Sequence, residues 1–314
     1  MTMNAATGLA LCLGALLATG AAPAHARPLP SVPAGEIVRV EPFDSRRVPP
    51  RAVDVWLPPG YDGEHPHAVV YMHDGEVLFD ASLSWNGMSW DAAGVAARLI
   101  EAGETRPFII VAIPNAGAER WAEYTPQRPF EAMHADARAR FEAIRRERAG
   151  GAPETAVRSD AYVAWLADEL KPRIDARFAT SPAREDTFLV GSSMGGLISL
   201  YALVERPGVF GGAACLSTHW PVIFTLEDNP FPDEMLTYLE GHLPDAGDHR
   251  LYFDHGTEEL DALYADPQRR VDELFRSRQW TPEHFDSRVY EGAGHNENAW
   301  RDRLDVPLRF LLGR

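Results

Sequence analysis

Cysteine is nearly missing from this chain, which has two among 314 residues. Cys12 lies in an apolar N-terminal stretch expected to be removed, which would leave Cys215 alone. One thiol cannot close an internal disulfide, so stapling is excluded as a source of stability. A domain of this length buries enough apolar surface without it. Also missing is any apolar run near the roughly 20 residues that a membrane-spanning helix needs, and no internal repeat is visible. Positive charge is in deficit: 30 Lys and Arg stand against 46 Asp and Glu, a formal net charge of −16. Such a balance repels phosphate backbones and anionic bilayers, which argues against nucleic acid or a membrane as partner.

The first 26 residues contain no Asp, Glu, Lys or Arg. Residues 8–20 are an apolar run, followed by Ala24-His25-Ala26, an A-x-A cleavage pattern. Residues 1–26 are therefore expected to be a signal peptide cleaved near Ala26, with a mature start near Arg27 and a periplasmic or secreted product. The usual Lys or Arg before the apolar run is absent, so only the terminal amine is positive there. The whole negative balance then belongs to residues 27–314.

That remainder is expected to be one domain of 45% hydrophobic and 24% charged composition, an ordinary globular mixture. Short apolar runs alternate with longer amphipathic ones. Residues 37–40 and 53–56 read as an early hairpin around Val48-Pro49-Pro50. Residues 68–72 and 108–113 are continuous apolar runs, as in buried central strands. A helical pattern over 90–102 separates them, which implies a right-handed crossover and a parallel sheet. Further strands are expected at 188–190, 212–216, 251–253 and 288–290. Helices are expected at 160–178 with Ser159 as N-cap, at 194–204, around 260–278 and at 297–312. The fold class is thus α/β, a mostly parallel central sheet with helices on both faces. One segment, near 128–152, places Phe130, His134, Ala137, Phe141 and Ile144 at helical spacing before Gly150-Gly151-Ala152-Pro153 breaks the pattern. It reads as a single solvent-facing helix, with a lid over the site as the sharper alternative.

The most informative stretch is Gly191-Ser192-Ser193-Met194-Gly195, a G-x-S-x-G with an apolar strand before it and a helix after it. A nucleophilic serine on a tight strand-to-helix turn needs small flanking residues, and the turn aims the Met194 N–H at a developing oxyanion. Ser192 is one position off this pattern and reads as structural. A serine hydroxyl needs a base at neutral pH. His295, in Gly292-Ala293-Gly294-His295-Asn296 after the last expected strand, is the histidine so placed. The acid should follow the preceding strand, where Asp254, Glu258, Glu259 and Asp261 crowd together. Asp254 reads as part of the strand; Asp261 is preferred, with Glu259 as the alternative. A second oxyanion donor is expected at Gly75 or Glu76, in His73-Asp74-Gly75-Glu76, with Gly75 supplying the turn. No metal-ligand spacing accompanies His73 and Asp74. His219, shortly after the 212–216 strand, either lines the pocket or lies on the surface.

Taken together, Tyr71–Gly75 with Leu78-Phe79-Asp80, Glu123-Tyr124-Thr125-Pro126 after Arg120, Gly191–Gly196, residues 256–264 and Gly294-His295-Asn296 resemble an esterase family. That family includes esterase D-like enzymes, enterochelin esterases and feruloyl esterases of the α/β-hydrolase superfamily. The resemblance implies a cofactor-free Ser-His-acid carboxylesterase acting on small-molecule, oligosaccharide or siderophore-type esters. It maps onto Ser193, His295 and the Asp261 region; acyl transfer would use the same groups. It also marks Arg120, Glu123 and Tyr124 as a cluster that either positions substrate or pairs ions to shape the loop. Glu76-Val77 departs from the Gln-Asn that relatives commonly show, and a carboxylate there disfavours anionic substrates. Trp85, Trp90, Trp121, Trp220 and Trp300 lie near the motif loops, as core or as stacking surfaces.

Overall fold

Residues 68–73 and 108–113 are apolar at nearly every position, and strands of that pattern must be covered on both faces. In the computed structural model, which describes residues 27–148 and 156–313, every residue of both is buried. Eight strands form one sheet: β1 (Glu36–Val40), β2 (Val53–Leu57), β3 (Ala68–His73), β4 (Phe108–Ile113), β5 (Thr187–Ser192), β6 (Gly212–Leu216), β7 (Arg250–Gly256) and β8 (Phe285–Tyr290). Their order across the sheet is β1-β2-β4-β3-β5-β6-β7-β8. The β1–β2 hairpin and the β2–β4 pair are antiparallel, and every later neighbour is parallel. The expected signal peptide and the Gly150–Pro153 break lie outside the described residues.

The helices are α1 (Ala92–Glu101), α2 (Arg120–Tyr124), α3 (Gln127–Ala132), α4 (Ala135–Arg148), α5 (Ser159–Trp165), α6 (Lys171–Arg177), α7 (Met194–Glu205), α8 (Phe231–His242), α9 (Ala265–Ser277), α10 (Glu297–Arg301) and α11 (Asp305–Leu312). They cover both faces of the sheet, because side chains alternate along each strand. Val69, Tyr71, Ile109, Val111 and Leu189 join one core with α5 to α9. Val70, Met72, Ile110, Phe188 and Val190 join the other with α1 and α11.

Several expectations are corrected. Ser159 is the first residue of α5 and Arg158 its N-cap; the Ser159 hydroxyl instead accepts the Gln127 N–H at 2.9 Å, tying α5 to α3. The expected helix 160–178 is interrupted by a π-helical turn, Leu166–Leu170, between α5 and α6. The 128–152 segment holds two helices, split where Met133 turns extended. It is not simply solvent-facing: Phe141 is fully buried, packed between Phe130 and Phe231 of α8. The patterns at 260–278 and 297–312 each divide as well. The first opens with a 3-10 turn, Glu259–Leu263, and the second splits into α10 and α11. Helix α8 was not foreseen.

Parallel strands end on one edge of the sheet, and there an open α/β sheet gathers its binding loops. The loops after β3, β5, β6, β7 and β8 bring His73 to Glu76, Ser193, Ser217 to His219, Glu259 to Asp261, and His295 to that edge.

Candidate active site

Ser193 occupies the turn between β5 and α7 with φ 56° and ψ −125°, a strained conformation for a residue with a side chain. Gly191 must be glycine because the turn folds back on itself, and a Cβ there would lie 2.5 Å from the Gly195 backbone; a Cβ on Gly195 would crowd the Asp74 carboxylate at 3.1 Å. The turn is anchored from β6, since the Ser193 N–H donates to Leu216 O at 2.9 Å and the Ser193 carbonyl accepts the His219 N–H at 3.1 Å. Met194 opens α7, so its N–H is among those with no partner within the helix.

His295 lies on the loop after β8, and two of its nitrogens are engaged. Its Nδ1–H donates to Asp261 Oδ1 at 2.5 Å, and its backbone N–H donates to Glu259 Oε2 at 2.8 Å. The two carboxylates that the sequence left open therefore have different tasks: Asp261 holds the ring and Glu259 holds the chain. Asp261 is fully buried. Its second oxygen accepts from Ser217 Oγ at 2.6 Å and from the Gly256 N–H at 2.6 Å. Burial pushes this carboxyl up, but the hydrogen bonds from His295 and Ser217 together outweigh it and hold it below its ordinary range.

Behind Ser217 lies a buried network. Trp300 Nε1 and Arg303 Nη2 each donate to Ser217 Oγ at 2.9 Å. Arg303 Nη2 also pairs with Asp254 Oδ1 at 2.9 Å. Burial pushes Asp254 up, against the opposing pull of Arg303. Neither Ser217, Trp300 nor Arg303 was singled out from the sequence as an acid-side partner; the signal lies in contacts between distant segments.

Across the edge, the loop after β3 is built from charge. Asp74, not Gly75, takes the left-handed backbone, with φ 55°. Gly75 is required for close approach: a Cβ there would lie 2.7 Å from the backbone of Ala112 on β4. Arg120 clamps Asp74 with Nε at 2.6 Å and Nη2 at 2.8 Å. The Asn115 side-chain amide donates to Asp74 at 2.8 Å and also to Glu76. Burial and then the Asp74 charge push Glu76 up to about 7. His73 is buried, its Nδ1 at 2.9 Å from the Tyr162 hydroxyl, and burial pushes it down to about 4.

In the Arg120–Glu123–Tyr124 cluster, Arg120 and Glu123 are each held in an ion pair, with Asp74 and Arg51 respectively. Glu123 is fully buried and bound by Arg51 at 2.6 and 2.8 Å, while Tyr124 packs under the Arg120 guanidinium. His219 is buried at the site, with its Nδ1 at 2.7 Å from the Tyr264 hydroxyl. Tyr264, given no role from the sequence, also neighbours the Ser193 side chain. Of the tryptophans considered as stacking surfaces, Trp90, Trp220 and Trp300 are core residues, Trp121 packs against Phe130, and Trp85 is 83% exposed.

With this geometry in view, residues 49–311 match the family described as "Putative esterase". The chain belongs to that family. The esterase is thus an enzyme of the carboxylesterase class. Among solved structures, a ferulic acid esterase aligns with TM-score 0.63 and 17% identity over 88% of this chain and 98% of its own. An IroE-like serine hydrolase from Shewanella oneidensis aligns with TM-score 0.64 and 19% identity over 88% and 80%. The enterobactin esterase FES from Shigella flexneri aligns with TM-score 0.61 and 18% identity over 92% of this chain, which spans 62% of that enzyme. At these identities the likeness is one of fold: the mixed eight-stranded sheet with helices on both sides is that of α/β-hydrolase esterases.

Proposed function

We propose that this esterase works through an acyl-enzyme on Ser193, with His295 as base and Asp261 as its orienting acid. The observation that carries the reading is the 2.5 Å bond from His295 Nδ1 to a sealed Asp261, opposite a serine in a strained strand-to-helix turn. An imidazole that gives its Nδ1 proton to a carboxylate presents Nε2 as a base. Ser193 Oγ attacks the ester carbonyl and its proton passes to His295 Nε2. The tetrahedral oxyanion collects the Met194 N–H and an N–H from Gly75 or Glu76. Collapse expels the alcohol, which takes the proton from His295. Water, deprotonated by the same nitrogen, then attacks the acyl-enzyme and releases the acid. Replacing Ser193 by alanine should abolish both p-nitrophenyl acetate hydrolysis and fluorophosphonate labelling; equal rates in wild type and variant would sink the reading.

The substrate class is suggested by chemistry at the rim and by the structural neighbours, which are named for ferulate and enterobactin esters. Trp85 is exposed on a loop tied to α10, where Asn86 Nδ2 donates to Glu297 Oε2 at 2.7 Å, and Phe224 is 59% exposed beside His219. Exposed rings flanking the site favour an ester with a planar or sugar-like part. Export rests on the sequence pattern of residues 1–26, and N-terminal sequencing of the recovered protein tests cleavage near Ala26.

A further inference from the structure

The end of β6 reaches both the proposed nucleophile and its acid. Leu216 O accepts the Ser193 N–H at 2.9 Å, and the next residue, Ser217, enters left-handed backbone with φ 44°. A residue with a side chain holds such a conformation only where its surroundings over-determine it. Here the Ser217 N–H donates to Asp254 O at 2.7 Å, and the fully buried hydroxyl meets three partners. Ser217 Oγ lies 2.6 Å from Asp261 Oδ2, 2.9 Å from Trp300 Nε1 and 2.9 Å from Arg303 Nη2. Arg303 Nη2 stands 4.0 Å from the same Asp261 oxygen. That is near enough for its charge to favour the anion, but too far for a hydrogen bond.

The direction of each bond follows from counting protons. A hydroxyl has one proton to give and two lone pairs to fill. Indole and guanidinium nitrogens only donate, so Trp300 and Arg303 take up both lone pairs of Ser217 Oγ. The hydroxyl proton therefore goes to Asp261 Oδ2, which also accepts the Gly256 N–H at 2.6 Å. A proton on that carboxylate oxygen would find no free acceptor in Ser217 Oγ or the Gly256 N–H. Asp261 is thus kept as an anion, with Oδ1 left for His295 Nδ1–H at 2.5 Å. Trp300 braces the arrangement from a second side, its ring at 84° to that of His295 with centroids 5.0 Å apart.

We infer that Ser217 is a positioning residue: Trp300 and Arg303 fix its hydroxyl, and through it they hold Asp261 ionised and aimed at His295. Because Leu216 and Ser217 are consecutive, one strand end sets the turn of Ser193 and the rotamer of Asp261 together. The two ends of the triad thereby keep their spacing. This inference rests on the reading of Ser193, His295 and Asp261 as a triad and deepens it.

The test is a double-mutant cycle between Ser217 and Asp261. Ser217→Ala removes the hydroxyl, and Ser217→Gly removes it while accepting the left-handed backbone without strain. Each is made alone and together with Asp261→Ala. The kcat for p-nitrophenyl acetate is normalised to sites titrated with a fluorophosphonate, so that loss of folded protein does not count. Alone, each change should lower kcat about 10-fold, the lower end of what a hydrogen bond to a charged group is worth. KM should stay within about twofold, since the residue acts on the base and not on ester binding. With Asp261→Ala already present, either change should cost less than about twofold more, because nothing is left for the hydroxyl to hold. An unchanged kcat in the single variants, or an equal fall in both backgrounds, overturns the inference. Independently of turnover, the downfield Nδ1–H proton resonance of His295 reports its bond to Asp261 and should move in Ser217→Gly. An unmoved resonance overturns the inference as well. An Asp261→Ala variant with wild-type kcat, or a wild type that does not label at Ser193, marks failure of the underlying triad instead.

Discussion

On the side of the site formed after β6 and β7, Asp261 is sealed, and both its oxygens are held by hydrogen bonds from three separate segments, those of Ser217, Gly256 and His295. On the side formed after β3, Asp74 and Glu76 are only half-buried, share one amide from Asn115 and depend on Arg120. The first arrangement keeps a carboxylate ionised and rigid. The second assembles two like charges a short distance apart and leaves one of them able to take a proton near neutrality. Orientation of the His295 ring, the proposed base, is thus insulated from solvent conditions, whereas the shape of the expected oxyanion loop is tied to them.

The largest expected effect tests the acid side. Asp261→Asn keeps an oxygen for Ser217 and Gly256 but turns an amide N–H toward His295, stabilising the wrong imidazole tautomer. A loss of about 10⁴ in kcat is expected, as for the analogous change in a serine triad. Glu259→Gln keeps an oxygen for the His295 N–H, and its loss should stay within about threefold. Similar losses in steady-state ester kinetics for the two variants would overturn the division of labour between them.

Next comes the foundation of that side. Arg303→Met strips the buried Asp254 of its cation, and an uncompensated buried charge costs about 3–5 kcal/mol of stability. Urea denaturation should show that loss, with most of it recovered when Asp254→Asn is added. No recovery in the double variant would mean that Arg303 acts through packing on Tyr290. Opposite, Arg120→Met frees the Asp74 carboxylate that sets the left-handed turn. A fall of about 10²–10³ in kcat is expected, the worth of one oxyanion donor. Arg120→Lys should not restore it, because an ammonium cannot make the two-pronged contact. Full rescue by lysine in the same assay contradicts the clamp.

The same contrast governs what could be read in the sequence. Ser193 and its glycines were legible because the turn is local: Gly191 and Gly195 touch each other, so their spacing carries the constraint. The central strands were legible from unbroken apolar runs. The acid-side network was not, because Ser217 meets Arg303 across 86 positions. Likewise Glu123 read equally well as a substrate contact, since its partner Arg51 lies 72 positions upstream. Gly75 drew attention as a turn-former, whereas the turn falls on Asp74, whose short side chain tolerates left-handed backbone. Helix α8 went unread because Pro230 and Pro232 bracket its start. Yet Phe231, Met235, Tyr238 and Leu239 are buried at helical spacing.

The smallest effect distinguishes the two sides by sign. Glu76 is raised from 4.5 to about 7 in the folded protein, so folding favours its protonated form. The stability it contributes is complete below about pH 4.5 and is lost as pH rises through 7. Asp261 has the opposite linkage: its carboxyl is lowered, so its contribution is present at neutral pH and disappears only on acidification. Glu76→Gln keeps an oxygen for Asn115 but cannot ionise beside Asp74. Its Tm should match wild type near pH 4.5 and exceed it by a few degrees at pH 8. The crossover lies between those values because above pH 7 wild type must hold two adjacent carboxylates on one amide. A Tm difference that stays flat across this range would mean that the loop after β3 is as insulated as the acid side.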